Sequence, residues 1–421
     1  FDILYDSPIE IGNQDVWYFD AAGVKHEMAM VSGGNYNKEQ LSADISRIVE
    51  VETSIWGENP NDNYVFITHN YHSGSGGLEH LNSTVLGATR NGYNQDSSYK
   101  NYLNLVAHEY FHLWNVKRLR PQALGPFDYE QENYTTSLWI MEGFTAYYDN
   151  LIMRRCGFRD EREYLQLLAL EFNSVYNRAG YVIQPVAQAS FDAWIKHYRP
   201  DENSANTSIS YYSKGAMLAS AIDIKIIAAT EGAMRLDDII RVAYEKFYKA
   251  EDRGFLEPEF LALAEKHTGV DLSEIFEAAY STQELAYNDY FNLVGYEMVD
   301  HNAQNPSLSL GIKTANNDTR ITVKGVDRGS GAWDAGLNVH DELIAVNGFR
   351  IDPAGKELEN MLQQSVEGDI AEILVARDGL MKTLFVPVRN SSKKSLAIQP
   401  LARASEAQKA LGKIWLSLEE I

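Results

Sequence analysis

The sequence predicts an α+β fold: a lobe of mixed strands and helices, then a nearly all-helical lobe, then a small β-rich module. Strand-like runs and turn-rich connections alternate up to about residue 98. From residue 99 to 294 the apolar positions follow helical spacing almost throughout. Beyond residue 295 short alternating segments return around one helical run. These changes of pattern divide the chain into successive structural units.

Each element has its own signal. In the first lobe, apolar runs predict strands at 64–68 and 84–86, and 3.6-residue spacing predicts a helix over 38–51. In the second lobe the same spacing predicts helices over 160–176, 215–229, 236–248 and 258–266. In the last part, alternation predicts strands at 308–312, 320–326, 342–346, 370–377 and 382–387, with helices at 355–364 and 404–411.

Composition indicates a globular protein and disfavours two classes of partner. The 421 residues are 45% hydrophobic, which allows a large core and two or three domains. A net charge of −22 disfavours nucleic acid and anionic membranes, because both would repel the chain. No stretch approaches the ~20 apolar residues of a membrane span. A single cysteine, Cys156, excludes an internal disulfide.

The most informative segment is His-Glu-Tyr-Phe-His at residues 108–112. Apolar residues at helical spacing, without Pro or Gly from 99 to 120, predict a helix here. On a helix, His108 and His112 project about 40° apart on one face, so both imidazoles can reach one metal ion. Glu109 then lies beside that face, over the position that a catalytic Zn²⁺ keeps for water. The alternative is a buried helix that carries this short pattern by chance.

A second segment offers a third ligand. Residues 139–149 predict an apolar helix in which one carboxylate, Glu142, stands among Trp, Ile, Met, Phe and Tyr. Burying that carboxylate is costly unless a cation meets it, and Zn²⁺ would complete a His₂Glu set. Asp149 follows two turns later on the same face, where it can accept a hydrogen bond from a ligand histidine. The alternatives are a surface carboxylate for Glu142 and a solvated helix-end acid for Asp149.

Two further pieces are candidates for the same site. Gly76 and Gly77 lie between strand-like runs, where glycine lets the backbone approach an extended peptide, and Glu79 offers a carboxylate to a cation. Tyr211 and Tyr212 open another apolar helix, from which a phenol can donate a hydrogen bond to an oxyanion. Taken singly, a glycine-rich turn and a core tyrosine are the commoner explanations.

Together these motifs resemble a known family, the PDZ-containing glycyl aminopeptidases, which are zinc enzymes related to the aminopeptidase N and thermolysin group. The similar segments, in the family's order, are Gly-Gly-Leu-Glu-His (76–80), His-Glu-Tyr-Phe-His-Leu-Trp-Asn-Val-Lys-Arg-Leu-Arg-Pro (108–121), Trp-Ile-Met-Glu-Gly-Phe-Thr (139–145) and Tyr-Ser-Lys-Gly (212–215). The resemblance extends from about Asp6 to the C-terminus. It implies a thermolysin-like catalytic domain, with a sheet lobe and a helical lobe, followed by a PDZ β-barrel domain.

The resemblance also implies a role for each candidate residue. The two histidines and Glu142 would be the ligands of one Zn²⁺ per chain, and Glu109 would be the general base. Glu79 would bind the free α-amine of the substrate. Tyr212 would stabilise the transition state, with Tyr211 as the alternative.

The C-terminal module resembles a bacterial PDZ domain through Gly-Ala-Trp-Asp-Ala-Gly-Leu (331–337) and Asp-Glu-Leu-Ile-Ala-Val-Asn-Gly (341–348). PDZ domains bind extended peptides by strand addition and capture a terminal carboxylate with backbone N–H groups. Leu310, Gly311 and Ile312 form the candidate carboxylate loop, so a peptide C-terminus is a predicted partner. The alternative is a module that only braces the catalytic domain.

The predicted division has four parts. Residues 1–12 are expected to be the remnant of an N-terminal β domain, because members of the family usually begin with one and this sequence starts where it should end. Residues 13–294 form the catalytic domain, with its sheet lobe to about 98 and its helical lobe over 99–294. Residues 295–390 form the PDZ domain, and 391–421 a tail packed back on the body. We therefore expect a truncated or processed form.

The predicted function is a zinc aminopeptidase acting on peptides with a free N-terminus, and the family implies a preference for Gly and Ala. One alternative is a zinc endopeptidase, in which Glu79 only hydrogen-bonds backbone. The other is a PDZ peptide-binding adaptor on an inactive peptidase scaffold. The expected location is the cytoplasm, with the periplasm as the alternative, and neither nucleic acid nor membrane is an expected partner.

Overall fold

Two separate hydrophobic cores organise the chain in the computed structural model, which describes residues 1–316 and 319–416. The larger core takes side chains from Ala21 to Tyr296 and then from Ile398 to Leu416. The smaller core takes side chains only from Leu310 to Val388. The smaller unit is therefore inserted between two parts of the larger one.

The first lobe is a five-stranded mixed sheet. Its strands are β1 (Asp15–Ala21), β2 (Val24–Val31), β3 (Asn63–Tyr71), β4 (Gly76–Glu79) and β5 (Ser83–Thr89). The order is β1-β2-β3-β5-β4, in which β2, β3 and β5 are parallel while β1 and β4 pair antiparallel to their neighbours. β3 and β5 confirm the strands predicted at 64–68 and 84–86. β4, which contains the predicted glycine segment, is an edge strand of this sheet.

Helices form most of the larger unit. They are α1 (Asp2–Tyr5), α2 (Lys38–Trp56), α3 (Asp96–Phe111), α4 (Leu138–Arg155), α5 (Glu161–Tyr176), α6 (Val186–Phe191), α7 (Ser204–Thr207), α8 (Tyr211–Ala229), α9 (Leu236–Ala243), α10 (Glu257–Thr268), α11 (Ser273–Ala279) and α12 (Tyr287–Leu293). Short 3₁₀ turns occupy Gln122–Leu124 and Ala179–Val182, and π-helical segments occupy Ala193–His197 and Tyr244–Ala250. The helix predicted over 236–248 thus divides into α9 and a π-helical segment. None of the described helices is both long and apolar enough to cross a membrane.

α3 ends at Phe111, earlier than the uninterrupted apolar spacing to residue 120 predicts. His112 is its C-cap, and the carbonyl oxygen of Asn115 accepts a hydrogen bond from His112 Nδ1 at 2.7 Å. Val116 then takes a φ of 148°, a strained conformation for a β-branched residue. Contacts distant in sequence hold the loop that follows, because the Trp114 indole N–H donates to the carbonyl oxygen of Glu58 and the Asn115 amide to that of Met141. Local periodicity does not report such contacts.

Gly143 and Gly215 let α4 and α8 cross in backbone contact. A β-carbon on Gly143 would lie 2.4 Å from Gly215 Cα, and one on Gly215 would lie 2.4 Å from the carbonyl oxygen of Trp139. Glu142 precedes Gly143 on α4, and Tyr212 lies near the start of α8. The two glycines therefore set the distance between two predicted functional side chains.

The smaller unit is a β-rich module preceded by β6 (Tyr296–Asp300). Its elements are β7 (Leu308–Ser309), β8 (Ile312–Asn316), β9 (Ile321–Val326), α13 (Gly331–Asp334), β10 (Glu342–Val346), β11 (Phe349–Arg350), α14 (Lys356–Gln364), β12 (Ile370–Arg377), β13 (Leu380–Pro387) and β14 (Arg389–Asn390). The main sheet has the order β13-β12-β10-β9-β8, with β11 on β10. Over the described residues this sheet is open, so the closed barrel expected for this module is not found. The assignment as a PDZ domain stays a prediction.

The C-terminal tail returns to the larger unit through β15 (Leu396–Pro400) and α15 (Glu406–Leu416). β15 pairs antiparallel with β6, and both strands contribute to the larger core. The indole N–H of Trp415, which is fully buried, donates to the hydroxyl oxygen of Tyr147 on α4 at 2.9 Å. β6 thus packs with the larger unit, although the sequence division places residue 295 at the start of the C-terminal domain. Residues 417–421 of the predicted tail lie outside the described residues.

We expect Gly143→Ala and Gly215→Ala to lower the free energy of unfolding by about 1–3 kcal/mol, the usual cost of overpacking. This is the net loss after the ~1 kcal/mol that alanine gains over glycine in helix propensity, because both new β-carbons would meet backbone atoms rather than movable side chains. Gly325→Ala is the matched control, because its β-carbon would meet only the Lys313 side chain, at 3.6 Å. Chemical denaturation followed by circular dichroism gives the three values. A Gly143→Ala protein as stable as the control would contradict the close crossing.

Candidate metal-binding active site

Three side chains from two helices converge at one point. His108 lies in the last turn of α3, His112 caps that helix, and Glu142 comes from α4. Nε2 of His112 lies 3.1 Å from Nε2 of His108 and 3.1 Å from Oε2 of Glu142, and His108 Nε2 lies 3.4 Å from that same oxygen. Among the described residues, one group of His, Cys, Asp or Glu side chains lies close enough together to hold a metal ion, and it is this one. The structure thus brings the three predicted ligands together.

The other nitrogen of each histidine identifies its tautomer. His108 Nδ1 lies 3.0 Å from Oδ2 of Asp149, and His112 Nδ1 lies 2.7 Å from the carbonyl oxygen of Asn115. An ionised carboxylate and a carbonyl only accept hydrogen bonds, so in the neutral rings Nδ1 carries the proton and Nε2 presents a lone pair. Two lone pairs and a carboxylate oxygen then face one another, which is unfavourable unless a cation lies between them. The donor set fits Zn²⁺.

Asp149 and Asn115 fix the orientation of these rings. Asp149 is buried on α4, where the sequence predicts it as a partner of a ligand histidine. The Asn115 side chain donates to the carbonyl oxygen of Met141 at 2.9 Å and to Oγ1 of Thr145 at 3.1 Å, which ties the loop after α3 to α4. Sequence reasoning did not single out Asn115, although it lies in the extended motif that carries the family resemblance.

Glu109 faces the same point with a free carboxylate oxygen. The residue is only 5% exposed, and its Oε2 has no protein hydrogen-bond partner. Burial raises the pKa of Glu109 to about 7, although the charges of His108 and His112 oppose this shift. A β-carbon at Gly77 would lie 2.3 Å from Glu109 Oε1, so only glycine leaves room for this carboxylate. A buried carboxyl with a pKa near neutrality suits proton transfer.

The edge strand β4 brings Gly76, Gly77 and Glu79 to this point. Gly77 and Glu79 line a cavity together with the three candidate ligands and Glu109. Buried Arg118 holds the loop after β4, because its guanidinium donates to the carbonyl oxygen of Leu81 at 3.0 Å. Arg118 lies in the extended motif but was not predicted to have this role. An edge strand beside the candidate metal ligands can pair with an extended peptide.

Tyr212 lines two cavities that border the cluster, whereas Tyr211 lines only one of them. The two hydroxyl oxygens of Tyr212 and Tyr198 lie 3.1 Å apart, and the ring centroid of Tyr212 lies 6.2 Å from that of His108. Burial, followed by the charge of Glu142, raises the pKa of Tyr212, so its phenol stays protonated as a donor. Tyr198 had no sequence signal, because it is an exposed aromatic in a polar segment.

Two cavities meet at the cluster. The first has a volume of about 880 Å³ and the second about 490 Å³. Gly77, His108, Glu109 and Tyr212 line both of them. Glu79 lines only the second. A peptide can therefore extend from one cavity to the other across the candidate metal site.

The candidate carboxylate loop of the C-terminal module lies elsewhere. Leu310, Gly311 and Ile312 line neither of these two cavities. The Gly311 N–H donates to Oγ of Ser309 at 2.9 Å, so in this conformation that amide already has a partner. The role of this loop stays a prediction.

Comparison with known proteins supports the family resemblance. Residues 101–218 match the model of the M61 glycyl aminopeptidase family. This segment contains the three candidate ligands, Glu109 and Tyr212. The match confirms, over these residues, the resemblance to the glycyl aminopeptidase family that the sequence motifs indicated. Comparison with curated proteins gives no match.

The fold is similar to that of solved peptidases. An aminopeptidase N family protein from Idiomarina loihiensis is similar with a TM-score of 0.85 and 28% identity, over 96% of this chain and 71% of that chain. An M1 zinc metallopeptidase from Deinococcus radiodurans has a TM-score of 0.46 and 16% identity, over 65% of this chain and 53% of that chain. Only the first likeness is strong enough to bear on the fold. The family match and this likeness together support a metalloaminopeptidase.

We expect Asp149→Asn to weaken zinc binding about 10–100-fold, because an amide can no longer accept the His108 proton as a carboxylate does. Competition with a chromophoric chelator measures the dissociation constant. Asp96→Asn, in the exposed first turn of α3, is the matched control. Equal zinc affinities for the two variants would show that Asp149 does not orient the ligand.

Proposed function

We propose that this chain is a zinc aminopeptidase that hydrolyses the first peptide bond of substrates with a free N-terminus. The observation that carries the proposal is one cavity that contains a His₂Glu cluster, a buried general base and an acidic edge strand. The match to a glycyl aminopeptidase family supports the proposed preference for small N-terminal residues, Gly and Ala. The proposed division into a catalytic unit and a PDZ module is supported by the two hydrophobic cores.

His108, His112 and Glu142 would hold one zinc ion per chain. The convergence of two imidazole lone pairs and a carboxylate oxygen supports this assignment. When bound, zinc supplies Lewis acidity, which makes water a better nucleophile and polarises the scissile carbonyl group. All further roles belong to side chains of the protein.

Glu109 would act as the general base and then as the general acid. Its free Oε2 can accept a proton from water, and its raised pKa lets it pass that proton to the leaving amine. Gly77 supports this role because the carboxylate occupies the space that a side chain would fill.

Tyr212 would donate its phenolic proton to the oxyanion of the tetrahedral intermediate. Its contact with both cavities supports this choice over Tyr211. Tyr198, whose hydroxyl oxygen lies 3.1 Å from that of Tyr212, would orient the donor. The hydrogen bond would strengthen as negative charge develops, which is the condition for lowering the barrier.

Glu79 would make the enzyme an exopeptidase by pairing with the substrate's α-ammonium. Its place on edge strand β4 lets the substrate backbone lie alongside, with the charged amine at the carboxylate. An unpaired charge at a partly buried position is disfavoured, so the pairing of the amine with Glu79 would fix the first residue beside the metal site. Only the first bond is then in position. In the endopeptidase alternative, Glu79 would contact backbone only.

Glu109→Gln should retain zinc yet lower kcat by about 10²–10⁴, because the amide cannot accept the water proton. His112→Ala should lose both zinc and activity. Elemental analysis and hydrolysis of Ala-initiated peptides measure the two quantities. A fully active Glu109→Gln protein would exclude this residue as the base. Zinc-loaded wild-type protein without hydrolysis of any such peptide would favour the adaptor alternative.

Tyr212→Phe should lower kcat by roughly 10²–10³ with little change in KM, because the lost hydrogen bond forms mainly in the transition state. Tyr211→Phe is the matched control at the neighbouring position. Steady-state kinetics on one peptide compare the two proteins. Loss of activity in Tyr211→Phe alone would transfer the role to that residue.

The pairing of Glu79 with the amine predicts that N-acetylated peptides are very poor substrates. Glu79→Gln should lose much of the activity on free-amine peptides. The difference in kcat/KM between free and acetylated peptides should therefore become smaller. Glu132→Gln, another carboxylate that lines the same cavity, is the control. The measurement is kcat/KM for Gly- or Ala-initiated peptides with and without the acetyl group. Efficient cleavage of acetylated peptides by the unmutated enzyme would favour the endopeptidase.

A further inference from the structure

The larger of the two cavities has no part in recognising the substrate's amine. Glu79 lines the smaller cavity and not the larger one, so the first residue of the substrate belongs on that side of the metal site. On the proposed function, the remainder of the peptide, which becomes the leaving group, would extend into the adjoining cavity of about 880 Å³. The wall of this cavity would then contact the residues that follow the scissile bond.

Arg159 stands in that wall without a carboxylate partner. The residue is 5% exposed, and no Asp or Glu oxygen among the described residues lies within ion-pair distance of it. Its Nη1 donates to the amide oxygens of Asn104 at 2.6 Å and Asn150 at 2.5 Å. Nε and Nη2 donate to no acceptor in the described structure. Burial lowers the pKa of Arg159, and the more distant charges of Asp149 and Glu163 offset this only in part.

Other buried or partly buried arginines of the chain are satisfied in different ways. Arg155 makes two hydrogen bonds to the carboxylate of Asp237, and Arg235 pairs with Asp223. Arg118 has no carboxylate, but it donates through both terminal nitrogens to oxygen atoms and lines neither cavity. Arg159 differs because it combines a missing counter-charge with a position on a cavity wall.

The guanidinium is held close to the candidate metal site by a short network. His108 bonds to Asp149 at 3.0 Å, Asn150 donates to Asp149 at 2.7 Å, and Arg159 donates to Asn150. Asn104, the other acceptor for Arg159, lies one helical turn before His108. His108, Asp149, Asn150 and Arg159 all line the larger cavity, so one candidate ligand and the cation share its wall.

We propose that Arg159 binds the C-terminal carboxylate of short substrates, so that the enzyme prefers short peptides with a free carboxyl group. The inference rests on the proposed aminopeptidase function. A guanidinium with free N–H groups matches a carboxylate in charge and geometry. Without it, the acidic wall formed by Asp149 and Glu171 would repel the substrate's negative end. Arg159 would thus be a specificity residue that acts at the opposite end of the substrate from Glu79.

The test compares matched peptides in which only the carboxyl terminus changes. The substrates are Ala-Ala, Ala-Ala-Ala and the C-terminal amides of both, with Ala-Asp-amide to place the carboxylate on a side chain. We expect the free acids to exceed their amides about 10–100-fold in kcat/KM, as for a charge-assisted hydrogen bond. Arg159→Gln should bring this ratio to about 1 while changing the amides only slightly. Arg159→Lys should retain part of it, and Ser98→Ala, which alters another residue of the same wall, all of it.

Several outcomes would overturn the proposal. Equal kcat/KM for acids and amides in the unmutated enzyme excludes a carboxylate site. An equal loss for acids and amides in Arg159→Gln makes Arg159 a positioning residue of the Asp149 network. Selection of Ala-Asp-amide over Ala-Ala-amide, without selection of Ala-Ala over its amide, assigns the site to an acidic side chain.

A binding measurement separates this proposal from the proposed function. Calorimetry with the Glu109→Gln protein should find Ala-Ala-Ala bound more tightly than its amide by the same factor, and Glu109→Gln combined with Arg159→Gln should not. This result can be obtained even if the unmutated protein hydrolyses none of the peptides, which would be a failure of the proposed function alone. Equal affinities for acid and amide in Glu109→Gln would overturn the role of Arg159.

Discussion

The central constraint on this structure is the convergence of three electron-rich atoms, from two imidazoles and one carboxylate, within 3.4 Å of one another. With neutral imidazoles such an arrangement is unfavourable unless a cation lies between the atoms, and it requires α3 and α4 to be held at a fixed distance. Two buried contacts meet this requirement. Asn115 ties the end of α3 to α4, and the glycine crossing fixes α4 against α8.

The same constraint explains which parts of the site were predictable. His108, His112 and Glu109 form a local pattern, and Glu142 is a single carboxylate in an apolar helix, so each carries a signal within one helix. The partners that orient them lie far away in sequence or in loops. Arg118 acts through the carbonyl oxygen of Leu81, and the loop after α3 is held by the bond from Asn115 to Met141 on α4. Periodicity predicts which residues share a face but not which distant group they meet.

The same limit applies to predicting the fold from the sequence. α5 is found within one residue of its predicted bounds, and α2 begins where predicted but continues five residues further. The pairing of β6 with β15 joins segments that are nearly a hundred residues apart, with a complete β-rich module between them. No local pattern marks that pairing, so the sequence division placed β6 in the module. The inserted module contacts the larger unit at Asn206, whose side chain bonds to Val326 and Arg328.

The charges proposed to meet the two ends of a bound peptide can be compared with the net charge of the whole chain. With a net charge of −22, the protein attracts a peptide's ammonium group from a distance and repels its carboxylate. Glu79 continues that attraction inside the smaller cavity, whereas Arg159 opposes the general field inside the larger one. Any preference for free acids over amides must therefore overcome the long-range field, which favours the amides. A local guanidinium can do so because a short contact in a buried site outweighs a screened, distant charge.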